Sequence, residues 1–128
     1  MATSEQIRST IDAYIAAFAA NDKDTWVGLF AADATLEDPV GSEVKHGTAG
    51  IAEFWDFAHS LADSIALEAN GPSCVGGHEA AFPILIVSEL GGAKLMIEAI
   101  DVMTFTDDAR IASMRAYWDM ADMKPYEG

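Results

Sequence analysis

From Thr3 to Ala20 the apolar residues Ile7, Ile11, Tyr14, Ile15 and Phe18 recur at helical spacing, which predicts an amphipathic helix with one buried stripe. Thr3 and Gln6 have the form of a capping box at its start. Asn21 and Asp22 break the pattern, and a second, short helix follows with Trp26, Leu29 and Phe30 facing inward. Thr35 to Asp38 reads as a short strand halted at Pro39, and Gly41-Ser42 as a loop. Gly47-Thr48 opens a third helix that buries Ile51, Phe54, Trp55 and Ala58. Beyond about residue 63 the period changes to two. Strands are predicted over Ile65–Glu68, Ala80–Leu90, Lys94–Phe105 and Ile111–Trp118, with Gly91-Gly92 and Asp107-Asp108 as turns between them. Helices segregated from an antiparallel-rich sheet give an α+β class rather than alternating βαβ units.

With 128 residues the chain has the size of one domain, 1–128, able to bury its own core without metal or disulfide staples. No apolar run approaches the roughly 20 residues needed to cross a bilayer, and the start of the chain carries no secretory signal, so a soluble, cytoplasmic protein is expected. A formal charge of −14 makes nucleic acid and anionic membrane surfaces repulsive partners. Cys74 has no neighbouring cation to activate it and is expected to be a small apolar filler. His46, His59 and His78 are too scattered to suggest a metal site, and no glycine loop suited to phosphate is present.

Candidate chemistry enters with the strand over Lys94–Phe105. Alternation sends Leu95, Ile97, Ala99, Asp101, Met103 and Phe105 to one face, where Asp101 is the single polar member. Such an aspartate is paired with a cation, is neutral, or is turned outward on a bulge. No Lys or Arg shares its face, which favours a buried, protonated carboxyl. Tyr14 lies on the buried stripe of the first helix, where its hydroxyl needs a partner. Asp38 ends its strand immediately before a proline. Taken singly, Tyr14 reads as core and Asp38 as a turn residue, and spacing along the chain does not bring the three together.

A resemblance does. Tyr14 through Phe30, the run Ala34-Thr35-Leu36-Glu37-Asp38-Pro39-Val40-Gly41-Ser42-Glu43, Ala99 to Phe105, and Met114-Arg115-Ala116-Tyr117-Trp118 resemble the bacterial Δ5-3-ketosteroid isomerases over nearly the whole chain. The resemblance implies a cone-shaped fold of the nuclear transport factor type: three N-terminal helices on a curved, mostly antiparallel mixed sheet around an apolar pocket. It implies a steroid substrate, no cofactor, no metal and a homodimer. The outer sheet row, in which Met96, Ile100 and Val102 interrupt polar residues, is the expected dimer face. Matching positions make Asp38 the general base and Tyr14 and Asp101 the donors to the steroid carbonyl oxygen. A carboxylic acid kept neutral by an apolar site is a device already described for this family. Phe82, Ile84, Ile86, Ala99, Met114 and Trp118 match residues lining the steroid cavity, and the Trp118 indole is placed to support Asp38. Trp55 is a further expected contact. The sequence departs from the family in one respect: Phe30 and Trp55 stand where tyrosines bond to the oxyanion tyrosine, so a different network around Tyr14 is expected. The competing functions on the same fold are a polyketide cyclase or dehydratase type of enzyme and a noncatalytic carrier of hydrophobic ligands.

Overall fold

The computed structural model describes residues 1–127. Its first helix, α1 (Ser4–Ala19), is started by the expected capping box: the Gln6 amide donates to the Thr3 hydroxyl at 3.1 Å and the Thr3 amide to the Gln6 side chain at 2.8 Å. Ile7, Ile11, Tyr14, Ala17 and Phe18 are its buried stripe. Helix α2 (Lys23–Gly28) is capped by Asp22 and is shorter than its sequence pattern suggested. Phe30 does not belong to it. That residue opens β1 (Phe30–Glu37), a strand five residues longer at its start than predicted, because Leu29 already terminates the helix and hands its carbonyl to the Ile111 amide. A two-residue β2 (Lys45–His46) precedes α3 (Gly47–Ser60), followed by β3 (Ser64–Ala69) and β4 (Cys74–Gly76). The long strands β5 (Glu79–Leu90) and β6 (Ala93–Phe105) come next, then β7 (Ile111–Tyr117) and a short β8 (Lys124–Pro125).

The strands form one mixed sheet in the order β2-β1-β7-β6-β5-β3, with β4 on β5 and β8 on β6. Every pairing is antiparallel except β1 with β7. The sheet is curved and unclosed, and the three helices cover its concave face, with α1 against β3 and α3 against β1. Gly91 and Gly92 make the β5–β6 turn at φ of 59° and 85°, a backbone that glycine adopts without a Cβ clash. The β6–β7 turn at Asp107-Asp108 extends one residue further, and Ala109 takes the left-handed conformation.

Trp26, wholly buried, is the centre of an aromatic cluster with Tyr14, Phe18, Phe30, Phe54 and Trp55, whose ring centroids lie 4.8 to 6.4 Å from its own. This cluster plugs one end of the concavity and leaves the other open. Two expectations change on the sheet. Cys74 is exposed rather than a filler, because β4 sits at the sheet margin. Met96 is buried although it lies on the outer row with half-exposed Ile100. The C-terminal tail is the cause: Tyr126 pairs its amide with Lys94, takes the Lys94 ammonium over its ring at 4.5 Å, and donates its hydroxyl to Glu68 of β3 at 2.8 Å. The tail thus straps the row containing Met96 and its cross-strand partner Val87.

Candidate functional site

Between α3, the concave sheet face and the segment after β7 lies a cavity of about 360 Å³. Tyr14, Asp38, Asp101 and Trp118 all reach it. Each arrives by a different local route. Tyr14 is on the fourth turn of α1, where helical spacing aims it at the sheet. Asp101 is an inward residue of β6, opposite Phe82 of β5 and Ala116 of β7. Asp38 directly follows β1, and a set of short links fixes its loop. The Val40 amide donates to the Ala116 carbonyl at 2.8 Å, and the Gly41 amide to the Glu37 carboxylate at 2.9 Å. Arg115 of β7 holds the same carboxylate at 3.0 Å. Trp118 continues the inward parity of Met114 and Ala116 one step past the end of β7.

The electrostatics of the closed end follow from burial. Asp101 is 1% exposed, and neither of its carboxyl oxygens has a hydrogen-bond partner among the described residues. Burial, and then the charge of Asp38, push its pKa well above the ordinary carboxylate range, while the neighbouring Tyr14 hydroxyl acts the other way. Burial also raises the Tyr14 phenol well above its usual value, with Asp101 and Asp38 adding to the effect. Its ring is enclosed by Trp26, Phe30 and Phe82, the last two edge-on at 6.4 and 6.3 Å. Asp38 differs. Desolvation raises it to about 6, while the Trp118 indole N–H, donating to Oδ1 at 2.6 Å, partly offsets that rise by favouring the carboxylate. One pocket therefore holds two carboxyls whose pKa values burial raises, one without a hydrogen-bond partner among the described residues and one held by an indole.

Of the expected lining residues, Ile84, Ile86 and Trp118 form part of the wall. Phe82, Ala99 and Met114 share the inward face but are buried in the core cluster rather than forming the wall. Trp55 lies behind the wall, stacked on His59 at 3.9 Å and edge-on to Phe18 at 5.3 Å. Inward parity selects a face of the sheet; it does not say how far along that face the helices leave room. Phe18 of α1 and Phe54, Phe57, Ala58 and Leu61 of the third helix and its cap form the opposite wall. Their i, i+3, i+4, i+7 spacing was the signal that could have found the α3 residues. Met120 and Met123, which close the mouth, had no such signal because the segment after Trp118 lacks a period.

Residues 11–114 match the SnoaL-like domain family. The chain belongs to the SnoaL-like family. This SnoaL-like protein is 38% identical over 121 residues to the steroid Δ-isomerase of Nocardioides simplex, covering 94% of its own length and 95% of that enzyme. It is a homologue of a steroid isomerase, as the resemblance in the sequence implied. Among solved structures it superposes on SalBIII, an epoxide hydrolase/cyclase-like enzyme in pyran ring formation of the polyether salinomycin. The TM-score is 0.88 at 26% identity, covering 98% of the SnoaL-like chain and 100% of the other. No helix among its described residues is long and apolar enough to cross a membrane.

Proposed function

We propose that this protein isomerises Δ5-3-ketosteroids to their conjugated Δ4 forms by moving one proton within the substrate, without a cofactor. The observation that carries the reading is the pairing, in one apolar pocket, of a partnerless buried acid beside a phenol with a carboxylate held by an indole. In this reaction the Asp38 carboxylate removes a proton from C4, and the C–H electron pair moves through C3 to leave a dienolate. Negative charge gathers on the C3 oxygen. Tyr14 and neutral Asp101 each donate a hydrogen bond to that oxygen, and both bonds strengthen as the charge grows, which is the condition for accelerating the step. Protonated Asp38 then delivers its proton to C6, and the double bond joins the ketone. A base near pKa 6 suits both halves, being mostly ionised at neutral pH and still basic enough to take a carbon-bound proton.

The experiment is appearance of the conjugated enone from 5-androstene-3,17-dione. Asp38→Asn keeps the volume and loses the basic oxygen, so it should retain steroid binding and lose at least about 10³-fold in turnover. Near-normal turnover of that variant would remove Asp38 from the role of base.

The likeness to the epoxide hydrolase/cyclase-like SalBIII supports a second reading, in which Asp101 protonates an epoxide while Asp38 activates a hydroxyl for ring closure. Failure to form enone together with closure of a hydroxy-epoxide would favour it. We also infer a homodimer joined through the outer sheet row, on the strength of exposed Ile100 and Tyr117.

A further inference from the structure

Nine large hydrophobic residues are exposed among the described ones, and five of them, Phe57, Leu61, Leu90, Met120 and Met123, line the mouth of the same cavity. They come from three separate elements: the end of α3, the end of β5, and the turn after β7. Scattered exposed apolar side chains need no explanation, but their concentration as a collar around one opening marks a surface that something apolar covers. A second measure of the pocket is its depth. Phe82 stands opposite Asp101, and Ser88, another cavity residue, stands opposite Ile65 and Leu95. The step of six positions from one level to the other corresponds to at most about 20 Å along β5.

A fused four-ring nucleus built from bonds of about 1.5 Å spans about 10 Å from its C3 oxygen to C17. With the oxygen at Tyr14 and Asp101, about 10 Å corresponds to about three residues of β5, so C17 comes level with Leu85, between the inward Ile84 and Ile86 and short of Ser88. A nucleus with only a ketone at C17 therefore ends inside the cavity and leaves the Ser88 layer and the collar uncovered. Resting on the ketosteroid reading above, we propose that the preferred substrate keeps an apolar alkyl side chain at C17, the nucleus filling the cavity and the chain lying against the Phe57, Leu61, Leu90, Met120 and Met123 collar. The two methionines suit such a chain, since an unbranched thioether side chain adapts to a flexible ligand. The charge of −14 argues against an anionic lipid surface as the collar's occupant.

The test compares 5-cholesten-3-one, delivered from cyclodextrin, with 5-androstene-3,17-dione. The wild type should favour the cholestenone in kcat/KM, mainly through KM, and the double variant Leu61→Ser/Leu90→Ser should lower the ratio of the two kcat/KM values by about tenfold. Both positions are more than half exposed, which spares the core. In parallel, equilibrium dialysis of Asp38→Asn with 4-cholesten-3-one and 4-androstene-3,17-dione reads binding without turnover. Tighter binding of the cholestenone with no turnover of either substrate would sink only the isomerase reading. Turnover of the androstenedione with no binding preference for the side chain would overturn this inference alone, as would an unchanged ratio in the double variant or a change confined to its oligomeric state.

Discussion

Trp118 acts on Asp38 with the opposite sign to the pocket around it. The apolar walls penalise the carboxylate, and the indole N–H stabilises it, leaving a group at about 6. Removing the donor leaves desolvation unopposed. In Trp118→Phe the acid limb of kcat/KM should therefore move from near pH 6 to higher pH, so that activity at pH 6 falls several-fold and is largely recovered at pH 8. A limb that stayed in place while activity fell at every pH would reduce Trp118 to a wall residue. Asp101 has its folded-state pKa raised by burial and by the charge of Asp38, whereas in the unfolded chain it ionises at about 3.9. The folded state thus binds the proton that the unfolded state releases. The contribution of this group to stability is full below the unfolded value and declines as pH rises toward the folded one. Asp101→Asn, which has no proton to lose, should flatten the decline of Tm between pH 5 and pH 8. It also keeps a donor, so turnover should rank wild type above Asp101→Asn and Asp101→Asn above Asp101→Leu. An Asp101→Leu enzyme as fast as the wild type would end the donor role. The burial of this residue was legible in the sequence, because period-two alternation with no cation on the face leaves little else for an aspartate to do. The meeting of Tyr14 with it in one cavity was legible only through the family resemblance and not from local pattern, since residues on a helix and a strand 87 positions apart meet only through tertiary packing.

At the scale of elements, α1 shows how a local signal serves a distant site. The Thr3–Gln6 capping box satisfies amides at the helix start and so fixes where the stripe bearing Tyr14 begins. Thr3→Ala should cost about 1 kcal/mol and lower Tm by about 3–5 °C, with turnover per folded molecule preserved. Urea melts and active-site titration check both parts, and a loss of turnover in the folded variant would mean that the cap also sets the register of Tyr14. Capping, helical spacing and strand alternation depend on neighbouring residues, and these made α1, α3, β5, β6 and the Gly91-Gly92 turn readable. The start of β1 was not readable, because Phe30 and Ala31 owe their strand geometry to β7, more than 75 residues later. For the same reason β2, β4 and β8 were missed: strands of two or three residues are defined by partners, not by a period.

The whole molecule carries a large negative charge and a half-exposed outer row, and the second of these bears on the proposed dimer. Ile100 is 49% and Tyr117 44% exposed, side by side on β6 and β7, while the tail already covers Met96 nearby. The exposed apolar part of the face is thus its β6–β7 half, narrower than the row of Met96, Ile100 and Val102 suggested by sequence alone, and the proposed dimer would join there. Ile100→Glu should shift the sedimentation of a micromolar solution toward monomer, more strongly at low salt where like charges repel further. Sedimentation of the wild type as a monomer would remove the dimer itself. The cone could be read from the sequence as a class, α+β with segregated helices. Its usable volume could not, since that is set by where an aromatic plug from α1, α2, β1 and α3 stops, a packing outcome of the whole chain.

The parallel pairing of β1 with β7 also has a consequence for biosynthesis. As the polypeptide leaves the ribosome, α1, α2, β1 and α3 appear well before the strand that locks β1 and anchors the Asp38 loop through Ala116, which follows β1 by more than 70 residues. Until then β1 has an open edge, and the helices have no completed concave surface to cover. Each newly made chain therefore passes through an interval in which its aromatic plug and strand edges are available to chaperones and to neighbouring nascent chains. That interval ends only when residues 111–117 emerge.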